Sequence, residues 1–133
     1  MVYGFNDDKS MADIEQLIAN ALVVADLSAS VTLDSKVSGY SGATPVKLLK
    51  MGSVCMLVFK LKATQATWDL LNLPSGARPS VGMTVPFFYS DGATTTTYTC
   101  GRLQVMTGGN LVSATEEIKA NSYIFGYLTY IVD

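Results

Sequence analysis

The side chains in this chain that could do chemistry are few and scattered. Glu116 and Glu117 are adjacent. On a strand, neighbouring side chains point to opposite faces, so these two do not form the facing carboxylates of a glycosidase. No other acidic pair has a motif around it. There are no histidines, which removes the commonest general base and the commonest transition-metal ligand. His-dependent triads and most zinc sites go with them. EF-hand, P-loop and dinucleotide fingerprints do not occur. Cys55 and Cys100 are the only cysteines, each in an apolar or strand-like run and without CxxC spacing. They read as buried free thiols that behave as small hydrophobes. A bridge between them has no disulfide-rich pattern behind it. The expectation is a protein that is not an enzyme and holds no metal or cofactor.

Binding chemistry remains. Trp68 is the only tryptophan, and Tyr40, Tyr89, Tyr98, Tyr123 and Tyr127 are available beside Asp91, Arg102, Asn110, Glu116 and Asn121. An aromatic platform with side chains that make directional hydrogen bonds is the minimum a ligand site needs. Each candidate also has a plainer reading. Trp68 fits a core or subunit-interface position. Arg78 fits a guanidinium that holds loop carbonyls or a carboxylate. Tyr89 and Asp91 fit a hairpin tip, as an exposed aromatic–acid pair or as a solvated turn.

The elements that must position these residues follow from periodicity. Ser10 is a good helix N-cap, with Asp13 three residues on, where negative charge is favoured. From Met11 to about Ala25 the apolar residues recur at three- and four-residue steps, the signature of one helical face. Ile14 and Ala21 read as a positions, Leu17 and Val24 as d positions. Two heptads are too short to hold a coiled coil alone, so this helix needs its own domain or partner copies to pack on. Beyond Asp26 the period becomes two. Strands are expected over Val46–Met51 and Ser53–Leu61, joined at Gly52, then over Met83–Tyr89, with Pro86 placing that strand at an edge or bulge. Ser90-Asp91-Gly92 signals a hairpin turn. Thr94–Val105 and Ser122–Val132 read as long strands, with a short one starting at Leu111-Val112. No helical pattern separates the strands, which disfavours a parallel α/β sheet. The reading is mainly β: residues 1–27 as lead-in and oligomerising helix, residues 28–133 as an antiparallel β-sandwich or jelly-roll-like barrel.

Composition points to association. The chain of 133 residues is 49% apolar and only 15% charged, with net charge −2 and mean hydropathy +0.30. That is apolar and charge-poor for a soluble monomer. The longest apolar run, Val54–Phe59, is far short of the roughly 20 residues of a membrane-spanning helix, so a subunit interface is the better sink and no membrane partner is expected. No Lys/Arg run exists, which argues against nucleic acid. No signal-peptide pattern opens the chain.

Between β-type runs lies Leu73-Pro74-Ser75-Gly76-Ala77-Arg78-Pro79. Two prolines and a glycine cannot all sit inside a regular element, so this is a shaped corner. It resembles the Leu-Pro-x-Gly-x-Arg-Pro corner of phage tail-fibre and baseplate receptor-binding head domains, the group found on siphophages of Gram-positive bacteria. Other stretches are similar in the same order: Tyr3-Gly4-Phe5-Asn6-Asp7-Asp8-Lys9-Ser10 at the opening, Lys50-Met51-Gly52-Ser53-Val54 at a hairpin, Gly101-Arg102-Leu103 and Gly109-Asn110-Leu111 at glycine-punctuated hairpins, and the aromatic Tyr123–Tyr130 closing strand. The resemblance implies a homotrimer with a helical shoulder formed along Ile14, Leu17, Ala21 and Val24. It implies a β-rich head that binds host-surface saccharide, with Trp68, Tyr89, Asp91, Tyr98, Arg102 and Asn110 as candidate contacts. It implies a virion protein at the tail tip, made in the host cytoplasm and assembled with other tail or baseplate proteins. A purely structural baseplate or fibre module and a cell-wall glycan hydrolase are the alternatives.

Overall fold

Alternation along the strands converts directly into an inside and an outside. In Val54–Ala63 the side chains of Cys55, Leu57, Phe59, Leu61 and Ala63 are buried, while Val54, Met56 and Lys60 between them are exposed. Repeating this on neighbouring strands builds one apolar core. The computed structural model describes residues 11–17, 23–40, 44–93 and 96–133. Within them, a short helix covers 11–17, followed by ten strands: β1 (Ala25–Asp26), β2 (Thr32–Leu33), β3 (Val37–Gly39), β4 (Val46–Met51), β5 (Val54–Ala63), β6 (Asp69–Asn72), β7 (Met83–Ser90), β8 (Tyr98–Val105), β9 (Asn110–Ser113) and β10 (Tyr123–Ile131).

The strands form a single sheet in the order β1-β4-β5-β10-β7-β8-β9-β6-β2, with β3 also pairing β5. Every ladder is antiparallel. The sheet curls into a half-barrel around Leu48, Leu57, Phe59, Leu61, Leu70, Leu73, Phe87, Leu103, Leu111, Ile118 and Ile124, all nearly inaccessible. The antiparallel, mainly β expectation holds. In place of the sandwich or jelly-roll-like barrel stands one continuous sheet curled into a half-barrel, in which β10 pairs with both β5 and β7. The expected helix over Met11 to Ala25 is also corrected at its end. Ala25 and Asp26 pair with Lys50 and Leu49 of β4, so the sheet begins before residue 28. Asp26 is held there by Lys47 Nζ at 2.7 Å and by the Ser28 hydroxyl at 2.6 Å. The lysine first and the serine second keep its carboxyl well below the usual carboxylate range. The Tyr3–Ser10 opening with its Ser10 cap, Ala21 of the expected helix and residues 94–95 of the expected Thr94–Val105 strand lie outside the described residues.

The Leu73–Pro79 corner carries the chain from β6, next to the β2 edge, across to β7 in the middle of the sheet. Several of its backbone groups find partners. The Leu73 amide donates to Gly109 carbonyl at 2.9 Å and Ala77 amide to Pro74 carbonyl at 2.9 Å. Arg78 Nε donates to Leu73 carbonyl at 3.1 Å and Lys50 Nζ to Gly76 carbonyl at 2.8 Å. The Tyr130 hydroxyl reaches from β10 to Ala77 carbonyl at 2.6 Å in a fully buried contact. Arg78 is thus the structural clamp that its place in the corner suggests. Gly109 has φ +93°, and a Cβ there would lie 2.8 Å from both Arg78 Nε and Leu73 carbonyl. The hairpin under the corner therefore has room for glycine alone.

Tyr130→Phe should test this arrangement. The substitution keeps the ring and leaves the buried Ala77 carbonyl without a partner, which costs about 1–3 kcal/mol. Urea unfolding should show the midpoint falling with the slope unchanged. An unchanged midpoint would mean the clamp contributes nothing.

Candidate functional site

The six candidate contacts do not converge on one place. Tyr89 and Asp91 do meet, in an open polar pocket of about 230 Å³ at the β7–β8 end, lined also by Ser90, Thr99, Glu116, Glu117 and Lys119. The polar segment 114–121 is fastened over this end by side chain to backbone bonds. Arg102 amide donates to Thr115 Oγ1 at 2.6 Å, Arg102 Nη2 to Ala114 carbonyl at 3.2 Å, and the Ser113 hydroxyl to Glu116 carbonyl at 2.6 Å. Gly92 amide donates to Ser122 Oγ at 3.0 Å, and Tyr123 amide to Ser90 Oγ at 2.8 Å. Buried Ser90 and Ser122 thereby hold the hairpin and the segment together.

Tyr89 is a correction. It is not the exposed aromatic of a hairpin tip. It points inward, 4% exposed, with its ring 5.2 Å from that of Phe87. Its hydroxyl donates to Glu116 Oε1 at 2.6 Å. Burial first, then the Glu116 carboxylate, push the phenol up to about 12. The hydroxyl stays protonated and fixes Glu116 with its second oxygen free to accept. Asp91 is exposed and forms an ion pair with Lys119 at 2.8 Å. The pair draws the ammonium's pKa upward, by the hydrogen bond and the nearby charge. The pocket therefore presents fixed acceptors and donors but no aromatic platform.

The other candidates lie elsewhere. Asn110 lies in a groove of about 420 Å³ along the β2–β6–β9 edge, with Thr32, Asp34, Ser35, Asp69 and Asn72. Its side-chain carbonyl accepts from the Asn72 amide. Trp68, just before β6, is 48% exposed and so not a core residue of this chain. Tyr98 belongs to an aromatic patch on the outer face, where its ring lies 5.5 Å from Phe125, and Tyr40 lies 4.9 Å from Tyr123 and 5.8 Å from Phe125. Lys62 Nζ sits 5.8 Å from the Tyr123 ring centre, within cation–π range. Cys100 is exposed on this same face opposite Phe88, contrary to the expected buried thiol, whereas Cys55 is buried; both are free. Among the described residues no group of three or more His, Cys, Asp or Glu could hold a metal ion.

The outer face is the feature that residue-by-residue reading missed. Met51, Val54, Met56, Phe88, Tyr98, Tyr127 and Ile131 are all exposed large hydrophobics of β4, β5, β10, β7 and β8. These five strands are contiguous in the sheet. The signal was present: their sequences contain Lys47, Lys50, Lys60, Lys62 and Arg102 and no acidic residue. A slot of about 390 Å³ opens in this face between β7 and β10, lined by Val58, Phe59, Lys60, Pro86, Phe88, Phe125, Gly126 and Tyr127. It exists because the β7–β10 ladder is only two pairs long, Ile124 with Tyr89 and Phe125 with Phe88. Pro86 has no amide hydrogen with which to continue it. Phe59 lies at the base, and its ring occupies the space of a side chain at Gly126, where a Cβ would sit 2.2 Å from it.

No protein-family model and no curated protein matches this chain. Among the described residues no helix is long and apolar enough to cross a membrane.

The Tyr89–Glu116 contact has a pH signature. Tyr89 ionises near 10 when unfolded and near 12 in the fold. Its stabilising effect is therefore complete below pH 10 and lost as pH rises toward 12. Between pH 9 and 12, denaturation midpoints of Tyr89→Phe should fall less steeply than those of the parent chain. Parallel curves would show that the phenol does not report on the fold.

Proposed function

We propose that this chain is a receptor-binding head of a phage tail or baseplate, a homotrimer that recognises host-surface carbohydrate non-covalently. The observation that carries the reading is the polar pocket at the β7–β8 end, which lacks the expected aromatic platform and so engages a sugar through hydrogen bonds alone. Glu116 is held by Tyr89 and Lys119 by Asp91, with the Thr99 hydroxyl and Glu117 beside them. An acceptor fixed before the ligand arrives, Glu116 on the buried Tyr89 hydroxyl, with the exposed Lys119–Asp91 pair beside it, suits a ligand made of hydroxyl groups, because less side-chain entropy remains to be lost on binding. The resemblance carried by the corner motif supports the same class.

Each pocket supplies only a few hydrogen bonds, so each site is weak. Three weak sites on one rigid particle give avidity that no single site has to provide. The head then discriminates hosts by the pattern of sugars on a wall rather than by one tight contact. Self-association is supported by the exposed apolar face and by the helix at 11–17, where Leu17 is 68% exposed and Ile14 is half-buried in the single chain; Val24, the other expected seam residue, lies outside that helix and is exposed. In the virion the head sits at the tail tip with other tail or baseplate proteins as its neighbours. The apolar face equally favours a second reading, a structural baseplate or fibre module whose surfaces are all taken by protein and which has no sugar ligand.

Purified protein mixed with cell walls or glycan fragments of candidate hosts separates these readings, with released sugar measured in parallel. The receptor-binding reading expects binding to some hosts without release. Glu116→Gln or Lys119→Ala should then weaken binding about tenfold per site, as expected for the loss of a hydrogen bond to a charged group. Binding that survives both substitutions would move the site away from this pocket. No binding to any host would leave the structural module, and release of sugar would mark a hydrolase.

A further inference from the structure

The slot between β7 and β10 has a shape and a charge that ask for a particular occupant. Its walls are the rings of Phe88, Phe125 and Tyr127, its base is Phe59, and Lys60 stands at its rim. It is apolar enough to exclude a sugar as the preferred guest and wide enough for an aromatic side chain. Elsewhere on the same molecule Trp68 stands 48% exposed, beside the exposed carboxylate of Asp69. An aromatic ring with an acid next to it complements an aromatic slot with a lysine at its edge.

We propose that the slot takes Trp68 of a second copy of this chain, with Asp69 of that copy meeting Lys60. The inference deepens the trimer reading above by naming the interface. Charge segregation favours it. Lys60, Lys62 and Arg102 alternate onto the outer face, whose five strands hold no acidic residue, whereas Asp34 and Asp69 lie at the β2–β6 edge near Trp68. Face against face would bring like charges together, whereas face against the Trp68 side pairs opposite ones. Area favours it too. Five strands about 4.8 Å apart and about 30 Å long present about 700 Å², close to the roughly 800 Å² per partner of a standard interface.

The trimer reading requires this contact to close into a ring. Slot and Trp68 are different patches, so the contact is heterologous and must close on itself or grow without limit. They are separated by the three ladders β7-β8, β8-β9 and β9-β6 of a curled sheet.

Because Trp68 is the only tryptophan, its fluorescence reports this contact directly. In the assembled protein its emission should be blue-shifted and shielded from acrylamide, and should shift red as dilution separates the copies. Trp68→Ala and Phe88→Asp should each weaken association about 30-fold or more, the effect of removing an aromatic hot spot, while far-UV circular dichroism stays that of the parent. Lys60→Glu should weaken it as well, and combining it with Asp69→Lys should restore it. A parent chain that sediments as a monomer at micromolar concentration would overturn both this interface and the trimer. A parent that associates, with Trp68→Ala associating equally well or Trp68 remaining open to acrylamide, would overturn this interface alone.

Discussion

One hydrogen bond sets the geometry on which the rest depends: the Tyr130 hydroxyl donating to the carbonyl of Ala77, inside the core. Burial pushes that phenol's pKa far above the ordinary tyrosine range, so it remains a donor at any pH the protein meets. The bond ties β10 to the corner between β6 and β7. Without a fixed corner, the chain leaving β6 has no defined route back to the middle of the sheet. Arg78, Lys50 and the Gly109 turn secure the same loop from its other sides. The two prolines remove backbone donors that would otherwise need partners. The corner is therefore stiff by composition and held from several sides by its neighbours.

Fixing β7 in this way has two consequences. At one end, β7 turns into β8 beneath the 114–121 segment, and Tyr89, Asp91, Glu116 and Lys119 come into one pocket. Further along, β7 and β10 part after two residue pairs, and the chain just before β7 returns to β10 where Ser80 amide donates to Ile131 carbonyl at 3.1 Å. The gap between is the slot. The polar pocket and the aromatic slot are thus products of one strand placement. In the proposed function one takes a hydroxylated ligand and the other a protein side chain. A broad apolar face on a chain of this size is costly to leave in water, so assembly and binding belong to the same account.

Much of the fold was legible because period-two alternation and turn chemistry are local. The Gly52 and Asp91-Gly92 turns, the antiparallel strands after residue 28 and the structural role of Arg78 all follow from neighbours in sequence. What escaped was the direction in which alternating faces point. In β10 both faces are apolar, with Tyr123, Phe125, Tyr127 and Ile131 on one and Ile124, Leu128 and Tyr130 on the other, so periodicity could not tell core from surface. Phe88 and Tyr89 posed the same problem. Alternation puts them on opposite faces, yet only packing reveals that Phe88 is outside and Tyr89 inside. Cys100 follows Phe88 outward for the same reason. Trp68 lies just outside a regular strand and had no periodic signal at all. The pairing of β10 with both β5 and β7 is long-range, and no local pattern encodes it.

The most direct test of this account is the mass of the particle in solution, measured by sedimentation equilibrium over a dilution series of the full chain. Three chains per particle at micromolar concentration, dissociating together on dilution, is the expected result. A single chain at every concentration, with its outer sheet face bare to solvent, would contradict it.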